Sequence, residues 1–167
     1  MPDEIKDSYA EIKFHKDFKV NYELILKRCR FIQSERILYS YGDIIKSEIN
    51  FRNQFEENNV KINKRQVGRI DLLIRYRSCN YCVEIKYYPY KGGEFWDAIK
   101  VLGYTEYLNF IDKPSTPYKP AIMMPKDKIE LETLIIAHRL KITLFAITQT
   151  GKSYKVELVD DNFKVKY

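Results

Sequence analysis

The sequence has only three cysteines, Cys29, Cys79 and Cys82, in a chain of 167 residues. An odd and small number of cysteines argues against a disulfide framework, so we expect a reducing, cytoplasmic location. No apolar run approaches the ~20 residues that a membrane-spanning helix needs. The acidic start, Met1-Pro2-Asp3-Glu4, lacks the basic and then apolar layout of a signal peptide. We therefore expect no membrane partner.

Histidine is also scarce. His15 and His138 are the only two histidines, and neither has a partner at the spacing of metal ligands. The segment Cys79-x-x-Cys82 has half the pattern of a zinc or iron–sulfur site, but only Cys29 remains to complete it. Thiolate metal clusters and Cys–His nucleophilic catalysis therefore have no support in the sequence.

Positive charge is in excess. The chain has 29 Lys and Arg against 23 Asp and Glu, a formal net charge of +6. This balance favours a polyanionic partner such as nucleic acid. The hydrophobic content of 45% fits one globular domain over residues 1–167, and no repeat or low-complexity tract interrupts it.

Two neighbouring segments have the composition of β-strands. They are residues 68–74, which contain Asp71, and residues 83–86, Val-Glu-Ile-Lys. Ser78-Cys79-Asn80 between them favours a tight turn. Successive strand residues point to opposite faces, so Glu84 and Lys86 share one face of the second strand. A hairpin loop with an even number of residues puts Asp71 opposite Glu84 or Lys86, on that same face.

The apolar residues select this register. It leaves an unbroken apolar face on the other side of the hairpin, formed by Ile70, Leu72, Ile74, Tyr81, Val83 and Ile85. A slip of one residue would bury charge. Paired side chains lie about 5 Å apart at Cβ, so two carboxylates can bind one divalent ion with an ammonium beside it. The hairpin has the outline of a site that cleaves phosphodiesters.

The rest of the chain alternates helices and strands. We expect an amphipathic helix within residues 1–33, of which 22–26 also fit a strand, and a helix from Ser34 to Glu57. The other predicted elements are a strand at 60–63, a helix over 94–110, a buried strand at 121–124, a helix over 129–140, a buried strand at 142–148, and a terminal hairpin of 153–159 and 163–167. This order indicates an α/β sandwich with a central mixed sheet flanked by helices.

This order, together with Asp71 and the Glu84-Ile85-Lys86 motif on adjacent strands, resembles the PD-(D/E)xK nuclease superfamily. The family core is a helix, an antiparallel unit of three strands, a helix and a further strand parallel to that unit. Residues 35–148 match this core, with an N-terminal extension over 1–33 and a C-terminal hairpin over 153–167. The resemblance implies a restriction-endonuclease-like fold. Small nucleases of this kind occur among archaeal viruses, and the size and composition look similar.

The resemblance also implies roles for individual residues. Asp71 is the motif aspartate, Glu84 and Lys86 are the (D/E)xK pair, and Glu48 is the acidic residue often contributed by the first helix. Mg²⁺, for which Mn²⁺ can substitute, would be held by Asp71, Glu84, Glu48 and the backbone carbonyl of Ile85. Lys86 would position the attacking water or neutralise charge on the phosphorane. The implied reaction is hydrolysis of DNA phosphodiester bonds.

Further residues are expected to bind nucleic acid. Arg69 and Lys91 are candidates for contacts with phosphate, beside the tyrosines of 87–90. Family members commonly carry a Gln and a Tyr on the helix after the motif. Lys100 and Tyr104, four residues apart on one helix face, take those places, with Lys where Gln is usual. Ile70 precedes the aspartate where the family name has proline, a departure that many members share.

The tripeptide by itself carries little weight. The chain contains four of them: Glu4-Ile5-Lys6, Glu11-Ile12-Lys13, Asp17-Phe18-Lys19 and Glu84-Ile85-Lys86. Its 23 acidic residues and 20 lysines among 167 positions predict about three by chance. Only the last combines a predicted strand with an aspartate across a hairpin.

Three functional hypotheses stay open. The first is a metal-dependent DNA endonuclease or exonuclease of recombination, repair, restriction or viral genome processing. The second is a nucleic-acid-binding module of the same fold without cleavage, and the third is a nuclease that processes RNA. The three polar groups also fit an exposed cross-strand ion-pair cluster, worth only about 0–1 kcal/mol. A homodimer would place two sites against a duplex, although the sequence shows no unambiguous interface stripe.

Overall fold

The computed structural model describes residues 29–39, 66–87, 93–151 and 153–160, and the statements below concern these ranges. They contain six strands and two helices. The strands are β1 (Cys29–Tyr39), β2 (Gln66–Tyr76), β3 (Cys79–Ile85), β4 (Tyr118–Pro125), β5 (Thr143–Thr150) and β6 (Ser153–Leu158). The helices are α1 (Gly93–Asp112) and α2 (Leu131–Leu140), and a short 3₁₀ turn covers Lys126–Lys128.

The six strands form one mixed sheet in chain order. Strands β1, β2 and β3 pair antiparallel, β4 and β5 run parallel to β3, and β6 is antiparallel to β5. Parallel neighbours need a crossover, which α1 provides between β3 and β4 and α2 provides between β4 and β5. The predicted α/β class and mixed sheet are confirmed. Neither described helix is long and apolar enough to cross a membrane.

Most predicted elements after residue 66 match the structure within a few residues. The helices predicted over 94–110 and 129–140 correspond to α1 and α2. The strands predicted at 121–124, 142–148 and 153–159 correspond to β4, β5 and β6. The predicted strands at 60–63 and 163–167 lie outside the described residues.

The N-terminal prediction is wrong where it can be compared. Residues 29–39 form β1, whereas the sequence analysis placed the first of them in one helix and began another at Ser34. The helices were predicted because apolar residues, Ile32 and Ile37 among them, recur at steps of three or four residues, yet both of these side chains are exposed, at 40% and 38%. Pairing with β2 over the length of β1 satisfies the backbone and overrides local helical spacing. The remaining residues of both predicted helices lie outside the described residues.

The hairpin of β2 and β3 has the predicted register. Leu72 lies opposite Val83 and Leu73 opposite Cys82, and one further step along this register sets Asp71 opposite Glu84. The turn is two residues, Arg77 and Ser78, and not the predicted Ser78-Cys79-Asn80. Both turn residues have positive φ, 45° and 66°. Two successive residues with positive φ are typical of a type I′ turn, whose twist matches that of the strands.

Each face of the sheet carries an apolar layer. The layer under the helices includes Leu73, Cys82, Val101, Ile122 and Leu144. The layer on the opposite face includes Leu72, Ile74, Tyr81, Val83, Ile85, Met123 and Phe145. The alternation predicted for β3 and for β2 after Asp71 is therefore confirmed.

Ile70 departs from that alternation. We predicted it on the face of Leu72, but it packs in the layer under the helices. The pairs Ser34–Leu72 and Arg36–Ile70 leave Glu35 opposite Asp71, and Glu35 has a φ of 53°. This conformation is outside the strand region and interrupts the regular alternation. The irregularity coincides with the aspartate of the motif.

Helix α1 is attached to the sheet at its C-terminal half. The Asn109 side chain donates to the Tyr118 carbonyl (2.9 Å) and accepts from the Tyr118 amide (2.8 Å). Arg36 of β1 forms an ion pair of 2.9 Å with Asp112. Val101 and Leu108 are fully buried against the sheet. These contacts fix the helix so that its N-terminal turns lie over the ends of β2 and β3.

The turn generates a stability prediction. Ser78→Gly should raise the free energy of unfolding by about 0.5 kcal/mol, because glycine adopts positive φ without the steric cost of a Cβ. Urea denaturation measures this change. Ser115→Gly is the matched control: Ser115 is exposed and has no positive φ, so glycine there should not stabilise. Equal effects of the two substitutions would contradict the turn assignment.

Candidate functional site

The site begins where the ladder between β2 and β3 ends. The last recorded backbone pair is Leu72 with Val83. Beyond it, the backbone N–H of Ile85 donates to Asp71 Oδ2 at 3.0 Å. The Asp71 carboxylate therefore takes the place of the β2 backbone carbonyl that would otherwise accept the next hydrogen bond of the ladder. Asp71 is only 8% exposed, so this buried hydrogen bond fixes its orientation.

Glu84 is the most buried charged residue among those described, at 2% exposed. It lies two residues after Cys82 and faces the helix side of the sheet. Its Oε2 is 3.6 Å from Lys100 Nζ on α1. Its Oε1 is buried and accepts no hydrogen bond from the described residues. A buried carboxylate oxygen without a donor is costly unless it has another partner.

Lys86 and Asp97 form the second ion pair of the cluster. Lys86 Nζ lies 3.3 Å from Asp97 Oδ1, and both side chains are largely buried. Asp97 was missed by the sequence analysis. It precedes Lys100 by three residues and so lies on the same side of α1, but nothing in its spacing to Lys86 indicates the contact. The crossover from β3 through α1 brings the two together.

Lys100 and Tyr104 lie beside the cluster, as their predicted places on the helix suggested. Lys100 Nζ is 5.7 Å from the centroid of the Tyr104 ring, within range of a cation–π contact. The ring lies directly against β2 at Gly68, where any Cβ would clash with it. Gly68 therefore makes room for Tyr104 three residues before Asp71.

The electrostatic balance of the cluster is negative. Three carboxylates, Asp71, Glu84 and Asp97, face the two ammonium groups of Lys86 and Lys100. Burial, followed by the charge of Asp71, raises the pKa of Glu84 to about 7, and the two lysines offset only part of the rise. A further positive charge nearby would therefore stabilise the ionised form of Glu84.

Other predicted site residues are placed differently. Arg69 is exposed on β2. It stands between Gly68 and Ile70, which both face the helices, so strand alternation directs it to the other face. The Ile85 side chain is in the layer opposite the helices, and only its backbone faces Asp71. Glu48 and Lys91 lie outside the described residues.

The Cys79-x-x-Cys82 segment does not converge on one point. Both residues lie on β3, with Cys82 in the layer under the helices and Cys79 against the opposite layer. Burial raises the pKa of the Cys82 thiol to about 12, and the charges of Glu84 and Asp71 add to the effect. Cys82 is therefore a protonated core residue at neutral pH.

The described residues contain no group of three or more His, Cys, Asp or Glu side chains arranged to hold a metal ion. The candidate ligands are two carboxylates and a backbone carbonyl. The Ile85 N–H points toward β2, and in a strand the carbonyl of the same residue points the same way. Mg²⁺ commonly uses one or two protein carboxylates and fills its other positions with water or phosphate. The unpartnered Glu84 oxygen and the negative balance fit such an ion.

Comparisons with known proteins found no relative: no family model, curated protein or solved structure matches this chain.

The raised pKa of Glu84 predicts how stability depends on pH. Native Glu84 binds a proton between its unfolded pKa of about 4.5 and its folded pKa of about 7. The native state therefore holds more protons than the unfolded state in this window, and stability falls as the pH rises through it. In EDTA, wild type should lose on the order of 3 kcal/mol relative to Glu84→Gln between pH 4.5 and pH 8.

Urea denaturation across this pH range measures the difference. Glu106→Gln removes an exposed carboxylate from α1 and is the matched control, which should follow the wild-type curve. Parallel curves for wild type and Glu84→Gln would show that Glu84 is not held in a charge-poor environment.

Proposed function

We propose that this protein is a metal-dependent nuclease that hydrolyses DNA phosphodiester bonds and belongs to the PD-(D/E)xK superfamily. The observation that carries the proposal is the pair of buried carboxylates, Asp71 and Glu84, at the point where β2 and β3 separate. One of them has an oxygen without a hydrogen-bond donor among the described residues. An exposed ion-pair cluster would show neither feature.

The topology also supports the proposal. Three antiparallel strands, a helix and a strand parallel to the third are the core expected for this superfamily, and β1–β3, α1 and β4 have that order. In this alignment β1 takes the place that the sequence analysis gave to residues 60–63. Glu48, the acidic residue predicted from the first helix of the core, lies outside the described residues and stays a prediction.

The residues divide the chemistry between them. Asp71, Glu84 and the Ile85 carbonyl would hold Mg²⁺, for which Mn²⁺ can substitute. The chemistry that such a cation would supply when bound is polarisation of the scissile phosphate and a lower pKa of a nearby water. Lys86, held by Asp97, is in place to orient a water or to stabilise charge that develops on the phosphate. Asp97 thus acts as a positioning residue.

Lys100 would change its partner between the metal-free form and the substrate-bound form of the protein. Its ammonium lies at Glu84, where a divalent cation would also bind. Its side chain is 41% exposed, so it can turn outward when a cation takes over the charge of Glu84. A lysine released beside the scissile group is then available to a phosphate oxygen.

The two ion pairs also favour a second function, that of a nucleic-acid-binding module without cleavage. In that case Lys86 and Lys100 neutralise Asp97 and Glu84 permanently, and no cation binds. Chelation separates the two functions, because EDTA abolishes the activity of the enzyme and leaves DNA binding by either protein.

Substitution of the carboxylates tests the proposal. Glu84→Gln and Asp71→Asn should each lower the rate of DNA cleavage by on the order of 100-fold or more, because the metal loses a charged ligand. Both should retain DNA binding, measured by electrophoretic mobility shift in EDTA. A nicking assay on supercoiled plasmid, with linear duplex, single strand, branched junction and RNA alongside, also defines the substrate. Glu106→Gln should cleave like wild type. Cleavage by Glu84→Gln at the wild-type rate would contradict the assignment.

Metal binding has a readout that does not need activity. Saturating Mg²⁺ should raise the thermal midpoint of wild type, because a ligand that binds only the native state stabilises it. At a hundredfold excess over Kd the gain is about 2.7 kcal/mol, or roughly 5–10 °C for a chain of this size. The rise should disappear in Glu84→Gln and persist in Glu106→Gln. Equal rises in all three proteins would place the cation elsewhere.

A further inference from the structure

One large apolar side chain stands out by its exposure. Trp96 is 69% exposed, the highest value among the large hydrophobic residues described. It is also the only tryptophan of the chain. A packed aromatic side chain buries 150–250 Å² in typical proteins, so an exposed Trp leaves much of that stabilisation unused. Single exposed apolar residues are common, and the location of this one gives it significance.

Trp96 lies at the edge of the candidate site. It immediately precedes Asp97, which is paired with Lys86, and it is one helical turn before Lys100, which contacts Glu84. Residues four apart share a helix face, so Trp96, Lys100 and Tyr104 follow one line along α1. The middle residue of this line, Lys100, has its ammonium at Glu84 and beside the Tyr104 ring.

The line combines an exposed aromatic ring, a cation and a second ring. Lys100 interacts with the face of Tyr104 and with the carboxylate of Glu84. Sites for single-stranded nucleic acid use this combination, in which cations follow the phosphates and aromatic rings stack on the bases. In a base-paired duplex the base faces are covered by neighbouring base pairs. An exposed ring therefore suits an unpaired base.

We propose that Trp96 stacks on an unpaired nucleobase next to the scissile phosphate, so that the site takes single-stranded DNA, or a single-stranded segment of branched or frayed DNA, in preference to continuous duplex. This inference rests on the proposed nuclease function and specifies its substrate class. Lys100, between the ring and the carboxylates, holds the phosphate that joins the stacked nucleotide to the reacting one.

Tryptophan fluorescence tests the inference directly, because Trp96 is the only tryptophan and can be excited at the red edge of its absorption, where the 14 tyrosines hardly absorb. Full-length wild-type protein in EDTA is titrated with a 20-nucleotide oligothymidylate and, separately, with a blunt duplex of the same length. Stacking should quench the emission with the single strand and leave it nearly unchanged with the duplex.

Affinity for a dye-labelled single strand, measured by anisotropy, completes the test. Trp96→Ala should weaken binding by roughly 10-fold or more, whereas Trp96→Phe should retain most of it. Phe110→Ala is the matched control. Phe110 is an exposed aromatic residue of the same helix, about 21 Å further along its axis, and its loss should not change the affinity. Circular dichroism checks that each variant is folded.

The outcomes separate this inference from the proposed function. If wild type cleaves DNA with Mg²⁺ but the single strand neither quenches Trp96 nor binds more weakly to Trp96→Ala, the stacking role is refuted and the nuclease remains. Equal quenching by strand and duplex also refutes it. Quenching by the single strand together with loss of affinity in Trp96→Ala supports the stacking role, even if no cleavage is found and the nuclease assignment fails.

Discussion

The structure around the site depends on one hydrogen bond, from the Ile85 amide to the Asp71 carboxylate. It forms where β2 and β3 stop pairing through their backbones, and it takes the place of a ladder bond. Because of it, Asp71 is held beside β3 and the Ile85 carbonyl faces the same opening. The opening is therefore lined by the Asp71 carboxylate and the Ile85 backbone, on a pair of strands that a two-residue turn holds in register.

The charges of the buried side chains then determine which ligand can bind where β2 and β3 separate. Glu84 and Asp71 are both buried; Lys100 pairs with Glu84, whereas Lys86 pairs with Asp97. Burial and the neighbouring carboxylate raise the pKa of Glu84 to about 7, so the site carries its negative charge at a cost. A structural ion-pair network would be expected to balance its charges. We propose that a divalent cation completes this balance, in the place that the Lys100 ammonium takes beside Glu84.

The hairpin and the second half of the fold could be predicted from the sequence because their signals are local. The alternation of apolar and polar residues predicted the register that sets Asp71 opposite Glu84. Apolar residues at helical spacing predicted α1. The remaining features depend on tertiary context. β1 was mistaken for helix because Ile32 and Ile37 each belong to a series of apolar residues at steps of three or four; in the strand both are exposed. Asp97 was missed because only the position of α1 brings it to Lys86. Ile70 changes face because of an irregularity opposite Glu35, which strand parity cannot reveal.

We propose above all that Asp71 and Glu84 together bind a divalent cation. Anomalous diffraction from a crystal grown with Mn²⁺ tests it most directly, since the ion can be located without reference to activity. We expect one strong peak about 2 Å from an oxygen of each carboxylate, with Lys100 moved away from Glu84. Failure of any peak to appear there, with the Lys100–Glu84 ion pair intact at saturating Mn²⁺, would contradict it.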